Sequence, residues 1–442
     1  MSARAVKSAA SVEIADVVDL AHDGRGIAHV DGKATFIEDA LPGERVEWRR
    51  TKRGRNFDEG RLERVITPSP YRVIPRCIHF GVCGGCVLQH LSSEQQLVFK
   101  ERQLFESLER IGKVTPGERL PALRAQTWAY RRRARLGARW VPKKGKVIVG
   151  FRERSATLLA DLTRCEVLTA EVGQLIEPLS KLLTSLSIRD RIPQIEVAHA
   201  ETAIALVMRV LAEPTPEDRH ALAEFVRTYG IELYLQPGGY DTVAKFEGEP
   251  RPLSYRLPKF DVEIVFEPTD FIQINGPLNE RMVEHAVALL SPAPEEDVLD
   301  LFCGLGNFSL PLARHARHVV GVEGEGSLVA RAKQNALRNG IDNIEFFAAN
   351  LASEDLRALP WAQRSYAKVL LDPPGAGARE ALPLIAASGA TRVVYVSCHP
   401  GSLARDAGLL VHEHGFALKA AGVMDMFPHT AHVESIAVFE RK

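Results

Sequence analysis

The chain has 442 residues, of which 45% are apolar and 25% are charged, a balance typical of soluble globular proteins with two or three domains. No apolar run reaches the roughly 18 residues that a membrane-spanning helix needs, and the segment MSARAVKSAASVEIAD lacks the apolar core of a secretory signal, so we expect a cytoplasmic protein without a membrane. The formal net charge of +0 argues against a uniformly basic nucleic-acid-binding protein, although local basic patches can be hidden in it.

Short alternating runs from Val12 to Ile66 predict about five strands separated by glycine turns. The runs are VEIADVVDL, GRGIAHV, KATFI, ERVEWRR and GRLERVI. Five strands in so short a segment predict a small barrel of the oligonucleotide-binding kind. The run GRGIAHVDGKATFIEDALPGERVE resembles a TRAM domain, and the prolines that follow it predict a stiff linker.

Two basic segments carry aromatic residues. Trp48 to Phe57 contains five basic and no acidic residues, and Tyr130 to Lys146 contains eight basic and no acidic residues. A solvated charged face is the alternative interpretation of each segment. Together they favour RNA as a partner, because unpaired bases stack on aromatic rings while arginine and lysine bind phosphates.

Three of the six cysteines, Cys77, Cys83 and Cys86, lie within ten residues, and Cys165 follows alone. A disulfide framework is not expected in a long cytoplasmic chain, so the spacing indicates a metal site. No histidine stands at zinc-finger spacing, and three clustered thiolates with a distant fourth suit an iron-sulfur cluster. Zinc remains the alternative, and ordinary buried thiols are a third.

The region that follows predicts a central α+β domain. A serine cap, a terminal glycine and helical apolar spacing predict a helix from Ser92 to Gly112. Strand-like runs then alternate with helical ones at 171–186 and 216–229. The strand-like runs are RARLGARWV, VIVGFRE, QIEVAHA, TAIALVMRV, IELYLQ and DVEIVFEP.

The last segment alternates strands and helices regularly, which predicts a doubly wound, mainly parallel Rossmann-like sheet with its ligand beyond the carboxyl ends of the strands. Its first strand ends in VLDLFCGLGNFS, a glycine turn that nucleotide, flavin and S-adenosylmethionine (SAM) folds share. We therefore predict an α/β multidomain protein in three parts. These are a barrel (1–70), a central α+β domain with the four cysteines (71–270) and a catalytic domain (271–442).

Polar residues follow several of these predicted strands. Glu323 stands where such folds place an acid on ribose hydroxyls, and Asn350 and Asp372 end later strands. Each could instead be a helix cap. The sequence Asp372-Pro-Pro resembles a methyltransferase motif more than anything in dehydrogenases.

Two further residues are candidates for chemistry. Cys398 follows the apolar run VVYVS on a predicted turn, where a thiol can act as a nucleophile, although a buried packing role is the alternative. Glu434 precedes the last strand and is either a base or a solvent-facing edge residue. Cys303, within the glycine turn, is interpreted as a small packing residue.

Taken together, the motifs DLFCGLGNFSLPLA, VGVEG, FIQIN, SCHPGSLARD and FPHTAHVES resemble those of the RNA uracil-C5 methyltransferases, over essentially the whole chain. The barrel and four cysteines are most similar to the type that acts on 23S ribosomal RNA. The resemblance implies Cys398 as nucleophile and Glu434 as base. It also implies a SAM site that includes Gln273, Phe302, Asn307, Glu323, Asn350 and Asp372, and a [4Fe-4S] cluster on Cys77, Cys83, Cys86 and Cys165.

Two positions depart from that family's pattern. An arginine is expected where this chain has Gly375, which puts a substrate contact in doubt, and an asparagine is expected at His399. The histidine either supports the thiolate of Cys398 or replaces an amide hydrogen bond. Alternative functions are methylation of another rRNA or tRNA uridine, a nucleotide-dependent oxidoreductase, or an RNA-binding module without activity. No protein partner is predicted.

Overall fold

The computed structural model describes residues 12–154, 157–353, 356 and 358–442. The chain forms two compact units. The first contains the residues up to Lys100 together with Pro428–His432, and the second contains Glu101–Phe427 and Val433–Lys442. The three-part division at residues 70 and 270 stays a prediction.

The first unit contains the predicted small barrel. Five strands close in the order β1-β2-β3-β5-β4. They are β1 (Val12–Leu20), β2 (Gly26–Val30), β3 (Lys33–Glu38), β4 (Arg45–Arg53) and β5 (Phe57–Thr67). Alternate residues of each strand face inward, so Val46 and Trp48 of β4 pack with Ile37 in the barrel core.

This alternation corrects the interpretation of the first basic segment. Trp48 is fully buried and cannot stack on a base. Arg50 forms ion pairs with Glu13 (2.9 Å) and Asp58 (3.3 Å) on neighbouring strands. Arg53 and Phe57 remain exposed, so the accessible part of the segment is its carboxyl-terminal half.

Nine α-helices lie in the described part of the chain. They are α1 (Ser93–Ser107), α2 (Ala170–Gln174), α3 (Ile176–Ser185), α4 (Pro216–Tyr229), α5 (Gly276–Leu290), α6 (Ser309–Ala313), α7 (Gly326–Arg338), α8 (Leu382–Ala387) and α9 (Pro400–His412). Capping explains several of their ends: Thr215 and Asp218 form a capping box at the start of α4, and Gly230 ends it in a left-handed conformation. Within the described residues, no helix is both long and apolar enough to cross a membrane.

The remaining strands are β6 (Glu118–Arg119), β7 (Arg133–Val141), β8 (Lys146–Gly150), β9 (Gln194–His199), β10 (Ile204–Arg209), β11 (Glu232–Gln236), β12 (Ala244–Lys245), β13 (Leu253–Leu257), β14 (Val262–Phe266), β15 (Asp297–Leu301), β16 (His318–Glu323), β17 (Ile344–Ala348), β18 (Lys368–Leu371), β19 (Arg392–Ser397), β20 (Phe416–Met424) and β21 (Glu434–Arg441). All six strand-like runs of the central region are confirmed, and so is the regular alternation of strands and helices predicted for the last segment. The strands β6, β12 and β13 were not predicted.

The central region forms a six-stranded sheet in the order β12-β11-β10-β9-β7-β8, beside the β13-β14 pair. The second basic segment lies largely on β7, where the strand sends alternate residues to opposite faces. Tyr130 is buried, which contradicts its predicted role in stacking on bases. Arg133 and Arg135 both bind the buried carboxylate of Glu196, each at 3.0 Å.

The last segment forms the predicted doubly wound sheet. Its order is β17-β16-β15-β18-β19-β21-β20-β6. The strands β17, β16, β15, β18 and β19 run parallel, whereas β21 is antiparallel to both β19 and β20. The carboxyl ends of the parallel strands therefore meet at one edge, where the predicted site residues follow them.

Candidate active site

The glycine turn after β15 leaves open space beside its backbone. Gly304 and Gly306 have positive φ angles of 54° and 92°, and Phe302 also has a positive φ of 62°. A Cβ atom on Gly306 would lie 3.0 Å from Leu310 Cγ, whereas one on Gly304 would meet no atom within 4 Å. A ligand can therefore approach the main chain closely at Gly304.

The Glu323 carboxylate is fixed next to this turn. Glu323 ends β16, and β16 pairs with β15, the strand that leads into the turn. One carboxylate oxygen accepts a hydrogen bond from the Gly304 N–H at 3.1 Å, and the other accepts from the Glu325 N–H at 3.0 Å. Two main-chain donors thus orient the acid predicted to bind a ribose.

Asn307 is held by residues that the sequence did not reveal as part of the site. Its side-chain amide exchanges two hydrogen bonds, of 2.9 and 3.0 Å, with that of the buried Asn279 on α5. The Tyr255 hydroxyl of β13 donates to the same Asn307 oxygen at 2.9 Å. An asparagine among the apolar core-facing residues of a helix was the available signal for Asn279, whereas Tyr255 gave none because β13 was not predicted.

Gln273 and Asp372 come together although they are 99 residues apart. The Gln273 amide nitrogen donates to the Asp372 carboxylate at 3.2 Å. Gln273 lies just before α5, whose first turn is capped by the Asn275 side chain. Burial raises the pKa of Asp372 to about 7, and the Gln273 hydrogen bond opposes this shift.

A second acid, Asp300 of β15, is buried behind the glycine turn. Ser309 donates a hydrogen bond to one of its oxygens, and the other oxygen has no hydrogen-bond partner. Burial is the main cause that raises the pKa of Asp300 to about 8, with smaller contributions from the charges of Asp372 and Glu323. The sequence placed an acid here but did not indicate that it would be so isolated from water.

Cys398 is exposed in the loop between β19 and α9, so the alternative of a buried packing thiol is wrong. Solvent reaches the residue, but partial loss of hydration at the thiol and then the charges of Glu434 and Asp372 raise its pKa to about 11. A Cβ atom on Gly375 would lie 3.9 Å from Cys398 Sγ. The position that departs from the family pattern therefore lies beside the thiol.

His399 acts as a helix cap. Its Nδ1 accepts a hydrogen bond from the Ser402 N–H at 3.1 Å, at the N-terminus of α9. An asparagine oxygen performs the same task in many helices. The histidine thus provides the hydrogen bond that an amide would otherwise make.

Glu434 begins β21, which lies between β19 and β20, and only 3% of the residue is exposed. The alternative of a solvent-facing edge residue is therefore wrong. Burial, together with the charge of Asp372, raises the pKa of Glu434 well above its usual value. The shift favours the protonated form of this side chain.

Two predicted residues have local surroundings. Asn350 is exposed, and its side-chain oxygen accepts a hydrogen bond from the Ala352 N–H at 3.1 Å, a local contact that does not involve the other candidate residues. Cys303 is buried in the core beside the turn, which confirms its packing role.

The predicted cluster cysteines are divided between the two units. Cys77 and Cys83 are half-buried and Cys86 is buried in the first unit, and Cys165 is half-buried in the second. The Gly85 N–H lies 3.4 Å from Cys83 Sγ, as a donor to sulfur would. Over the described ranges, no group of three or more cysteine, histidine or acidic side chains is arranged to hold a metal ion.

Comparisons with known proteins agree with this fold. The sequence matches the TRAM domain family over residues 11–62 and the tRNA (Uracil-5-)-methyltransferase family over residues 253–442. The fold is similar to that of Pyrococcus abyssi tRNA (uracil-54, C5)-methyltransferase in complex with S-adenosyl-L-homocysteine, with a TM-score of 0.74. At 23% identity, and with 97% of this chain and 100% of that chain covered, the likeness is one of fold.

Curated relatives are much more similar in sequence. The chain is 54% identical to the 23S rRNA (uracil(1939)-C(5))-methyltransferase RlmD of Xanthomonas axonopodis pv. citri, covering 96% of each chain. It is 53% identical to the protein of the same name from Stenotrophomonas maltophilia, covering 97% of each. The chain therefore belongs to the RlmD family of 23S rRNA (uracil-C5)-methyltransferases.

Proposed function

We propose that this protein transfers a methyl group from SAM to C5 of a uridine in 23S ribosomal RNA. The observation that carries the proposal is the grouping of an exposed thiol with one buried and one half-buried acid at the ends of the strands: the charges of both Glu434 and Asp372 act on the Cys398 thiol. The names of the relatives supply the RNA, and the resemblance of the site motifs supplies the roles of the residues.

The donor set next to the glycine turn suits SAM. Glu323 is oriented for ribose hydroxyls, and the open space beside Gly304 lets a ligand lie on the main chain. Gln273, Phe302, Asn307, Asn350 and Asp372 complete the proposed cofactor-binding set. SAM, when bound, supplies an electrophilic methyl group.

Cys398 performs the step that makes uracil reactive. C5 of uracil is a weak nucleophile, so the thiolate first bonds to C6 and moves an electron pair toward C5 and O4. Because the pKa of the thiol is raised, only a small fraction of the isolated protein carries a thiolate at Cys398. The exposure of Cys398 allows a uracil base of the RNA to reach it. That base must be unpaired or flipped out of its stack.

Glu434 completes the reaction. Once C5 carries the methyl group, the Glu434 carboxylate removes the C5 proton, and the electron pair of that C–H bond expels the thiolate from C6. The buried position of Glu434 keeps water from competing for this proton. Gln273 stabilises negative charge at the uracil carbonyl through its amide N–H groups.

The experiment uses 23S ribosomal RNA that lacks the modification. The wild-type protein is expected to methylate one uridine, Cys398→Ala to bind SAM without methylating, and Glu434→Gln to trap a covalent protein–RNA adduct on a denaturing gel. Full turnover by Cys398→Ala would overturn the nucleophile. RNA binding by Glu434→Gln without an adduct would contradict its role as base.

We also propose that the four cysteines bind a [4Fe-4S] cluster. The sequence spacing and the Gly85 N–H near Cys83 Sγ support thiolate ligands in the first unit, and Cys165 is assigned as the fourth by the resemblance alone. No catalytic step is derived from the cluster. Protein purified without oxygen is expected to contain about four irons per chain and to absorb broadly near 400 nm. Zinc in place of iron would overturn the assignment.

The barrel and the basic segments are proposed to bind the RNA. Arg53, Arg55 and Phe57 are all exposed in one short stretch of the chain, which supplies cations for phosphates and an aromatic ring for a base. Substituting all three with alanine is expected to weaken RNA binding while SAM binding is unchanged, which filter binding and calorimetry would measure. Unchanged RNA affinity would exclude this surface.

A further inference from the structure

We propose that Tyr395, Arg405 and Asp406, here called the Asp406 clamp, position the loop of residues 373–378 against the Cys398 thiol, and that this placement is needed for the thiol to add to uracil. The inference rests on the proposed methyl transfer and assigns it three positioning residues. None of them is among the residues that the sequence motifs single out as catalytic or cofactor-binding.

The clamp begins with a buried carboxylate on which three donors converge. Asp406 is fully buried on α9. One of its oxygens accepts from the Tyr395 hydroxyl at 2.7 Å and from the Ala378 N–H at 2.8 Å. The other accepts from Arg405 Nε at 2.8 Å. Burial and the neighbouring Asp406 carboxylate raise the pKa of Tyr395, so the hydroxyl remains a donor.

Arg405 extends the clamp to a second point of the loop. Its guanidinium donates to the Ala376 carbonyl oxygen at 2.8 Å while it neutralises Asp406. The main-chain N–H of Ala378 and the carbonyl of Ala376 are thus both held, on either side of Gly377. Side chains from α9 fix the end of the loop that would otherwise have few contacts, because positions 374–376 are exposed.

Gly377 shows how closely the clamp fits the loop. Its φ angle is 86°, which favours glycine. A Cβ atom there would lie 2.5 Å from both the Arg405 guanidinium and the Asp406 carboxylate. The loop therefore lies too close to α9 for a side chain at this position, and the Gly377 N–H donates a hydrogen bond to the Pro374 carbonyl at 2.8 Å.

The same helix connects the clamp to the nucleophile. Cys398 immediately precedes the His399 cap of α9, and Asp406 lies two turns into that helix. On the other side, the loop begins at Asp372, which Gln273 holds, and brings Gly375 to the thiol. The gap between Gly375 and Cys398 is consequently set by α9. A looser loop would let the wall of the thiol's pocket move, while Gln273 still holds Asp372.

The chemistry of the clamp argues for positioning. A fully buried carboxylate loses its hydration, and apolar side chains of similar volume are often as stabilising or more so. Stability alone would not select two directional hydrogen bonds to one loop, from the Ala378 N–H to Asp406 and from Arg405 to the Ala376 carbonyl. Those bonds restrict where the loop lies, which is what a reaction between Cys398 and a flipped base requires.

The test compares Asp406→Asn and Tyr395→Phe with a matched control. Asp218 is also a buried carboxylate with three donors, the Ser187 N–H and hydroxyl and the Thr215 N–H, but it caps α4. Asp218→Asn therefore imposes a similar loss elsewhere in the fold. Methyl transfer, melting temperature and amide hydrogen exchange at Gly377 and Ala378 are measured on the full-length proteins.

In the wild type, three donors bind the two carboxylate oxygens of Asp406, whereas the side chain in Asp406→Asn has only one acceptor oxygen. This variant is therefore expected to lower kcat about 10-fold to 100-fold. We expect the KM for SAM to change less than about threefold, and exchange at Ala378 to accelerate at least about tenfold. Tyr395→Phe is expected to lower kcat and to accelerate exchange at Ala378 as well, each by a smaller factor. Asp218→Asn is expected to leave kcat and Ala378 exchange unchanged at a comparable loss in melting temperature.

The proposal is overturned if Asp406→Asn keeps the wild-type kcat, or if its Ala378 amide stays as protected as in the wild type. If Asp406→Asn does not fold, Tyr395→Phe decides in the same way. Failure of the proposed function is separable from failure of the clamp. Absence of methyl transfer by the wild-type protein would overturn the function, whereas hydrogen exchange requires neither RNA nor cofactor.

Discussion

The paired amides of Asn279 and Asn307 provide a direct test of the SAM site. In Asn279→Ala, Asn307 loses the two hydrogen bonds of 2.9 and 3.0 Å that orient its side chain. At about 1 kcal/mol each, their loss amounts to about 2 kcal/mol, or roughly 30-fold weaker binding of a ligand that Asn307 contacts. Tyr255→Phe removes one hydrogen bond to the same residue and is expected to weaken binding only about fivefold.

Isothermal titration calorimetry with SAM and with S-adenosylhomocysteine would measure both variants. Thermal melting would check that each variant is folded, since Asn279 is only 1% exposed and its substitution leaves a small cavity. The reasoning is refuted if a folded Asn279→Ala binds both ligands within twofold of the wild type. It is also refuted if Tyr255→Phe weakens binding more than Asn279→Ala does.

Three further predictions concern stability and RNA binding. Folding raises the pKa of Asp300 from 3.8 to about 8, so between these pH values the folded protein keeps a proton that the unfolded chain has lost, and the stability of the fold falls as the pH rises. Asp300→Asn should therefore make the melting temperature less dependent on pH between pH 5 and 8. If the melting temperature of this variant depends on pH as that of the wild type does, Asp300 is excluded as the source of the dependence. Position 306 has a φ of 92°, and a Cβ there would lie 3.0 Å from Leu310 Cγ. Gly306→Ala should therefore reduce the free energy of unfolding in urea by about 1–2 kcal/mol or more. A variant as stable as the wild type would show that the turn relaxes. Trp48→Ala should destabilise the barrel by about 3–5 kcal/mol. Phe57→Ala, which removes an edge contact with Phe36 at 5.3 Å, should destabilise it by less than about 1.5 kcal/mol and weaken RNA binding. The reverse pattern would contradict the assignment of buried and exposed rings.

The sequence predicted the parallel sheet closely because its buried strands are dominated by apolar residues. The run from Val298 to Leu301, interrupted only by Asp300, leads into the glycine turn, and the run from Val319 to Val322 ends at Glu323; the structure ends β15 and β16 within one residue of the ends of these runs. The strand β13 was missed because LSYRL is short and follows a segment rich in glycine, glutamate and proline.

The interpretation of Trp48 failed for a different reason. Charge clustering drew attention to the segment as a unit, whereas a strand divides its residues between two faces. Val46 and Trp48 share a face in ERVEWRR, so the period of two already indicated that the ring points inward with the valine. The Asp406 clamp could not be predicted from the sequence, because its contacts depend on where the loop and α9 meet in space.

The three ionisable groups around the reaction centre are shifted in one direction. Burial raises the pKa of Asp372 to about 7 and that of Glu434 well above its usual value. Together with partial loss of hydration, both acids raise the pKa of the Cys398 thiol to about 11. Each shift favours the protonated form of its group. The proposed chemistry therefore works against these shifts, because both the nucleophile and the base act in their deprotonated forms.

A positive charge placed among these groups would lower all three pKa values, since it stabilises each deprotonated form. SAM carries a sulfonium charge that S-adenosylhomocysteine lacks. We therefore expect SAM binding near pH 7 to release a fraction of a proton and S-adenosylhomocysteine binding to release much less, measured as the dependence of the binding enthalpy on the ionisation enthalpy of the buffer. Asp372→Asn should reduce the release. Equal proton release by the two ligands in the wild-type protein would show that the acids do not sense the cofactor's charge.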